Sequence, residues 1–366
     1  MAESGSTVRA ETLKDFCVQV FDKLDVPEED ARITADVLVQ ANLRGIDSHG
    51  VARLVRYVNG LRDGVMLARP EVRVVTETPT TLTLDAGAGL GQPVSFGAMK
   101  AAIDKAREYG SGFATVRNSN HYGIAGYYAM MALDQDMIGF STTNAAVLVV
   151  PTFGRDAMYG TNPIALAVPA GEERPFVMDM ATSTVPRGKL EVYHRQEKAL
   201  PKGWATDEHG VPTTDAGRVL DNFVKRAGGG LLPLGGAGEE LSGYKGYGMG
   251  LMVEILSAVL PGAAFLTAVY PKDPGRKPLP ANIGHFFGAW RLDAFRPTDG
   301  FKDDMDKFIR ELKNGNLAEG QTRIYLHGEK EFEEADRRSS QGIPLGAKVE
   351  ASLKQVATEL GVKYDL

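Results

Sequence analysis

The sequence predicts a mixed α/β protein, built on a mixed or antiparallel sheet with helices at both ends of the chain. Three observations carry this. Residues 10–63 and the stretch beyond 300 show apolar residues at helical spacing; residues 112–180 alternate short apolar runs with turns; and that middle region holds few long helices, so regular strand–helix–strand winding is absent. At 366 residues, 43% hydrophobic and 24% charged, the chain is long enough for two or three domains.

Residues 10–63 read as three helices. The first carries the stripe Leu13, Phe16, Cys17, Val20, Phe21 and Leu24. Pro27-Glu28-Glu29 opens the second, with proline suited to a first turn and acids favoured by the helix dipole. Gly45 and Gly64 are placed to end the second and third as left-handed caps. The third is expected to start at Ser48 as N-cap, followed by Val51, Leu54, Val55, Val58 and Leu61. A strand pair over 72–76 and 81–85 turns at Thr78-Pro79, and a helix over 93–109 follows. Strands are expected at 113–116, 138–142, 164–168 and 176–180, with one helix over 123–133 among them. After a helix at 184–196, residues 197–244 are rich in Gly, Pro and charge and read as long loops. The apolar stretch 249–270 contains Glu254 and Pro261-Gly262, which favours a buried helix, a turn and a strand over a membrane span. A strand at 283–290, an amphipathic helix at 301–312, a short strand at 322–326 and two polar-faced helices complete the chain. The expected division is a helical domain over 1–75 completed by 300–366, and a second domain over 76–299 with an excursion at 184–244.

Composition removes several function classes. A net charge of −6 with no Lys/Arg run argues against a nucleic-acid partner. One cysteine excludes an internal disulfide and points to a reducing, cytoplasmic setting, and no apolar run near the start suggests a secretory signal. The six histidines include no pair at i+3 or i+4, so no metal site is expected.

The chemistry concentrates in a few segments. Ser48-His49-Gly50-Val51-Ala52-Arg53 sets an imidazole and a guanidinium four residues apart, on one face if the segment is helical. Arg53 can hold a carboxylate by two parallel hydrogen bonds, and His49 can exchange a proton near neutral pH. A solvated helix end explains the same residues equally well. Asn118-Ser119-Asn120-His121-Tyr122-Gly123 gathers polar groups between a strand and a helix, where His121 reads as a second acid/base or as a structural histidine. Asp179-Met180-Ala181-Thr182-Ser183 ends a strand with an acid and small residues, fitting a ligand edge or an N-cap. Gly243-Tyr244-Lys245-Gly246-Tyr247-Gly248 opens the helix at 249 and suits an anion such as a pyrophosphate, or a tightly packed loop. Gly87-Ala88-Gly89-Leu90-Gly91 lacks the GxGxxG spacing and the following acid of a Rossmann fingerprint.

Taken in order, Arg44-Gly45, Ser48-His49-Gly50 with Arg53, Asn118 to Gly123, Gly160-Thr161-Asn162-Pro163, Asp179 to Ser183, Arg187-Gly188-Lys189, Gly243 to Gly248 and Gly284-His285-Phe286-Phe287 resemble the malate/L-lactate dehydrogenase family that lacks a Rossmann domain. The resemblance runs over about residues 8–345. It implies a homodimer of mixed α/β subunits, a largely antiparallel non-Rossmann sheet as the cofactor-binding domain, and hydride transfer with NAD or NADP. It implies His49 as the proton donor or acceptor, His121 as its competitor for that role, and Asp179 as a third catalytic candidate. Ser48, Arg53 and Lys189 would bind the carboxylate substrate. Asn120, Thr161, Asn162, Asp179, Met180, Ala181, Lys245, Gly284, His285 and Phe286 would meet the dinucleotide. Imine-reducing relatives carry an acid at the place of Lys189. A lysine there favours a second anionic group, hence malate first, with sulfolactate or lactate behind it.

Overall fold

The computed structural model describes residues 6–275 and 277–366. The chain begins with β1 (Thr7–Val8), which pairs antiparallel with residues 343–344 near the other end. Helices α1 (Ala10–Asp22), α2 (Glu28–Leu43) and α3 (Leu54–Arg62) follow. Leu13, Phe16, Cys17, Val20 and Phe21 of the α1 stripe are buried and Leu24 beyond the helix is partly so, and burial pushes the Cys17 thiol up to about 12, so it stays an unreactive thiol. Residues 48–61 do not form the single expected helix. Asp47–His49 and Val51–Arg53 are separate 3₁₀ turns, and extended Gly50 divides them. Ser48 therefore caps nothing.

The main sheet has seven strands. β2 (Arg73–Glu77) and β3 (Thr81–Asp85) form the expected hairpin, and α4 (Gly91–Tyr109) crosses to β4 (Ser111–Ser119). The helix expected over 123–133 is shorter, α5 (Ala125–Met130), and ends in a 3₁₀ turn. Next come β5 (Met137–Thr143), β6 (Ile164–Val168) and β7 (Phe176–Met180). The excursion contains α6 (Arg187–Arg195), two-residue strands β8 (Ala205–Thr206) and β9 (Pro212–Thr213), α7 (Ala216–Lys225), β10 (Gly230–Leu231) and α8 (Gly243–Glu254). Helix α7 was not expected, although Asp215 caps it by accepting the Arg218 N–H at 3.0 Å. Helix α8 starts at Gly243, earlier than expected, and continues as a π-helix over Ile255–Val259. No strand follows it. Residues 261–270 wrap around instead, because the Glu254 carboxylate and the 281–282 backbone take their N–H groups.

Strand β11 (Ile283–Arg291) enters the middle of the sheet, giving the order β2-β3-β4-β11-β5-β6-β7. Only β3–β4 is parallel; every other neighbouring pair is antiparallel. Helices α4 and α5 cover one face, and the chain ends in α9 (Thr298–Lys313), α10 (Glu329–Gln341), β12 (Ile343–Pro344) and α11 (Ala347–Leu360). The expected strand at 322–326 is absent. That segment gains its order from side chains, with Glu329 accepting the Leu326 N–H and the Arg323 guanidinium, while the adjoining His327 carbonyl takes one hydrogen bond from β7. One apolar core joins α1–α3 to residues 343–366, a second lies between the sheet and α4–α5, and a third fills the excursion. Among the described residues no helix is long and apolar enough to cross a membrane, and no three His, Cys, Asp or Glu side chains gather as a metal site.

Candidate active site

His49 is positioned by the adjoining end of α2 and, from far along the chain, by α10. Asn42 of α2 accepts the Val51 N–H at 2.8 Å, in place of a helical carbonyl, and donates to the Asp47 carboxylate at 2.6 Å. Arg338 of α10 grips Asp47 with both terminal nitrogens, at 2.6 and 3.0 Å, and donates to the Asn42 carbonyl at 2.7 Å. Glycine is required at position 50, since a Cβ there would lie 2.1 Å from the Asn42 amide oxygen. The turn so clamped presents His49 beside α3.

His121 comes from the loop between β4 and α5. Asn120 fixes that loop by donating to the Ala88 and Gly89 carbonyls at 3.0 and 2.8 Å. This contact gives the glycine-rich turn its purpose: a Cβ on Gly91 would sit 2.2 Å from the Asn120 carbonyl oxygen. At the far end of the loop, Asp179 of β7 accepts the Gly126 N–H at 2.7 Å. Asp179 also lines a cavity with Arg44, His327, Lys330 and Glu331. Burial lifts the Asp179 carboxyl to about 6.

The two imidazoles stack with centroids 5.6 Å apart and planes 24° from parallel. His121 Nδ1 accepts the Gly123 N–H at 3.3 Å and lies 2.7 Å from the Tyr57 hydroxyl. A backbone N–H can only donate, so Nδ1 is an acceptor, Tyr57 donates to it as well, and the ring proton belongs on Nε2. Burial holds Tyr57 at about 12, so it remains a phenol. His49 Nδ1 lies 3.0 Å from the Ser48 hydroxyl, which can either donate or accept. Burial, then Arg53 and Arg56, lower His49 to about 4; burial, then Arg56, lower His121 well below its usual value. Both rings are neutral at neutral pH.

Arg53 donates Nε to the Ser48 carbonyl at 2.6 Å, which leaves its two terminal nitrogens without a partner among the described residues. Arg56 bonds the Tyr270 hydroxyl and lies over that ring, 5.4 Å from its centroid. Neither forms an ion pair with an acid among the described residues. Arg187, at the start of α6, is paired with Glu191 at 3.0 Å. Arg187 and Tyr270 also line a cavity of about 390 Å³ shared with Phe223 and Arg226. The sequence reading missed Arg56, Tyr57 and Tyr270. The first two were legible, because Arg53, Arg56 and Tyr57 stand at i, i+3 and i+4.

The remaining expected residues divide into two groups. Asn162 is fully buried, with its amide engaged by the Ala145 N–H, the Gly250 carbonyl and Glu254 at 3.0–3.1 Å. His285 is clamped between the Ser119 and Thr143 hydroxyls at 2.8 Å each, stacks on Tyr122, and is held at about 3 by burial. Gly284 lets the π-helix approach, since its Cβ would lie 1.8 Å from the Ser257 carbonyl oxygen, and Phe286 packs on Phe113 and Phe140. The Thr161 carbonyl receives the N–H and hydroxyl of Thr182 at 2.9 and 3.1 Å. The polar side-chain atoms of Asn162, His285 and Asn120 are thus engaged within the fold, whereas Thr161 is tied only through its carbonyl and Phe286 is half-buried. Met180 and Ala181 are half-buried, and Lys245 and Lys189 are exposed with no acid partner among the described residues.

A nicotinamide dinucleotide fits the open group. Gly250, midway along α8, packs against the Thr182 hydroxyl, 3.2 Å from where a Cβ would sit, and Gly246 of the first turn packs on Leu234, whose N–H donates to the Thr182 carbonyl at 2.8 Å, so α8 runs past the segment that follows β7. No side chain caps that turn, and Lys245 stands on it, which suits a diphosphate. Met180 and Ala181 offer a half-open apolar edge to a flat ring.

A family model described as malate/L-lactate dehydrogenase matches residues 8–354. The chain is 48% identical to a malate dehydrogenase of Pyrococcus abyssi, over 96% of this chain and 94% of that protein. It is 38% identical to an L-sulfolactate dehydrogenase of Methanocaldococcus jannaschii, over 98% of both. Among solved structures, malate dehydrogenase from Entamoeba histolytica superposes with a TM-score of 0.94 at 36% identity, covering 99% of this chain and 100% of that one. Malate dehydrogenase from Pyrococcus horikoshii gives 0.87 at 44% identity, covering 99% of each.

Proposed function

The chain belongs to the malate/L-lactate dehydrogenase family, and from that premise we propose that it interconverts malate and oxaloacetate with NAD or NADP. The observation that carries this is the pair of neutral, stacked imidazoles beside an arginine with two free terminal nitrogens. Arg53 takes the C1 carboxylate end-on by two parallel hydrogen bonds, which orients C2 toward the edges of both rings. His49 takes the proton of the C2 hydroxyl, and His121 donates its Nε2–H to the same oxygen. The hydrogen bonds support this division. An Nε2 base on His121 would need its proton on Nδ1, against the Gly123 N–H donor, whereas the Ser48 hydroxyl can accept from His49 Nδ1–H and so leave His49 Nε2 free as the base. Such a base supplies roughly 10²–10⁴ in rate. When bound, the nicotinamide supplies the acceptor for the C2 hydride. Lys245, Met180 and Ala181 are assigned to hold the dinucleotide, and Asp179 to position the His121 loop.

The test is oxidation of malate, lactate and sulfolactate with NAD and with NADP, followed by absorbance of the reduced nicotinamide. Reduction of neither cofactor by any of these acids would sink the assignment. We also assign a homodimer, supported by the exposed apolar edge Met252, Ile255, Val259 and Leu260 along α8 and its π-helical end; a monomeric mass by light scattering would refute it. A cytoplasmic setting rests on the single, buried cysteine.

A further inference from the structure

We infer that Arg56, held in place by Tyr270, receives the distal anionic group of the substrate and so selects a 2-hydroxy diacid over a 2-hydroxy monoacid. This rests on the reading above and extends it to specificity. Arg56 follows Arg53 by three residues at the start of α3, which roots the two side chains on one face with their Cβ atoms about 5–6 Å apart. Two long side chains rooted so closely can reach the two ends of one four-carbon diacid whose C2 faces the edges of the imidazoles. Both cations lie half-buried without an acid partner among the described residues. Two adjacent, uncompensated guanidiniums repel, and one bound carboxylate neutralises only one of them. A dianion neutralises both.

The support for Arg56 is built into the fold. Its guanidinium is fixed edge and face by Tyr270, through the hydroxyl and over the ring. Tyr270 sits at φ +57°, a left-handed conformation that tyrosine seldom adopts, and its N–H is tied to the Ala281 carbonyl at 3.3 Å. The remaining Arg56 nitrogens are free to donate among the described residues. Lys189, which the sequence suggested for the second anion, instead stands exposed on the first turn of α6. The recognition is for negative charge and oxygen acceptors, so a distal carboxylate and a distal sulfonate are both admitted.

The test compares kcat/KM for malate, sulfolactate and lactate in the wild type and in Arg56→Gln, Arg56→Lys, Tyr270→Phe and Lys189→Gln. Arg56→Gln should lower the malate-to-lactate ratio about 30- to 100-fold, through the KM for malate, which is the loss of one charge-assisted contact. Sulfolactate should fall with malate, and Arg56→Lys should recover part of the ratio. Tyr270→Phe should raise the malate KM several-fold with kcat kept, and it decides the matter if Arg56→Gln does not fold. An unchanged ratio in Arg56→Gln, or a shift of the ratio in Lys189→Gln instead, overturns the inference while the parent reading survives. A wild-type enzyme inert toward all three acids overturns both.

Discussion

Asp179→Asn should stabilise this protein at neutral pH, by an amount that grows as pH rises. The Asp179 carboxyl is lifted from 3.8 to about 6 by burial; the Gly126 N–H and Arg44 act against that, and Glu331 adds to it. A carboxyl whose folded pKa lies above its unfolded one keeps its proton longer in the native state. Its contribution to stability is therefore full below about pH 4 and is lost as pH rises through about 6. Roughly two pH units at about 1.4 kcal/mol each give an upper limit of ~3 kcal/mol, which solvent in the adjoining cavity reduces to about 1–2 kcal/mol. Asparagine keeps an oxygen for the Gly126 N–H and carries no charge. Urea unfolding of both proteins at about pH 4.5 and pH 8 reads the effect: the difference should widen by ~1–2 kcal/mol in favour of Asn at the higher pH. A pH-independent difference, or one that widens in favour of Asp, refutes the reasoning. Turnover should stay within about tenfold, because Asp179 places the loop; a fall of roughly 10²–10⁴ would make it a proton carrier.

Other substitutions test the remaining parts of the site. His49→Ala should lower kcat by roughly 10²–10⁴, while a fluorescence titration with reduced cofactor stays unchanged. With His49 at about 4, the acid limb of kcat/KM for lactate oxidation should fall near that pH, and a limb near the usual histidine value would show that the ring is not desolvated as described. Arg53→Lys should raise KM much more than it lowers kcat, since a point charge replaces a two-pronged grip. Gly91→Ala should displace the His121 loop, because its Cβ would meet the Asn120 and His121 carbonyl oxygens at 2.2 and 2.6 Å; near-normal activity in that variant would show that the loop can move at little cost.

Much of the site was written in the sequence as residue identity but not as geometry. His49, Arg53 and His121 stand out as motifs, yet the helix expected to align the first two does not exist. Two 3₁₀ turns replace it: the Asn42 side chain takes the Val51 N–H, and Arg338 anchors the turn by its Asp47 carboxylate. Asn162 and His285 stand out equally in the sequence, and burial commits their polar atoms to the scaffold. The strand expected at 322–326 has the right composition and lacks a neighbour to pair with along its length.

The sequence by itself determined the fold class, the strands of the main sheet and the helices whose apolar stripes are continuous. Those signals lie between residues two to four positions apart, where the period of the chain decides which face is buried. Only the tertiary structure decided the order of the sheet, with β11 inserted between β4 and β5, the tautomer of His121, and the neighbour of Arg56. Arg338 reaches Asp47 across 291 positions and Tyr270 reaches Arg56 across 214, and no local pattern encodes a partner that far away.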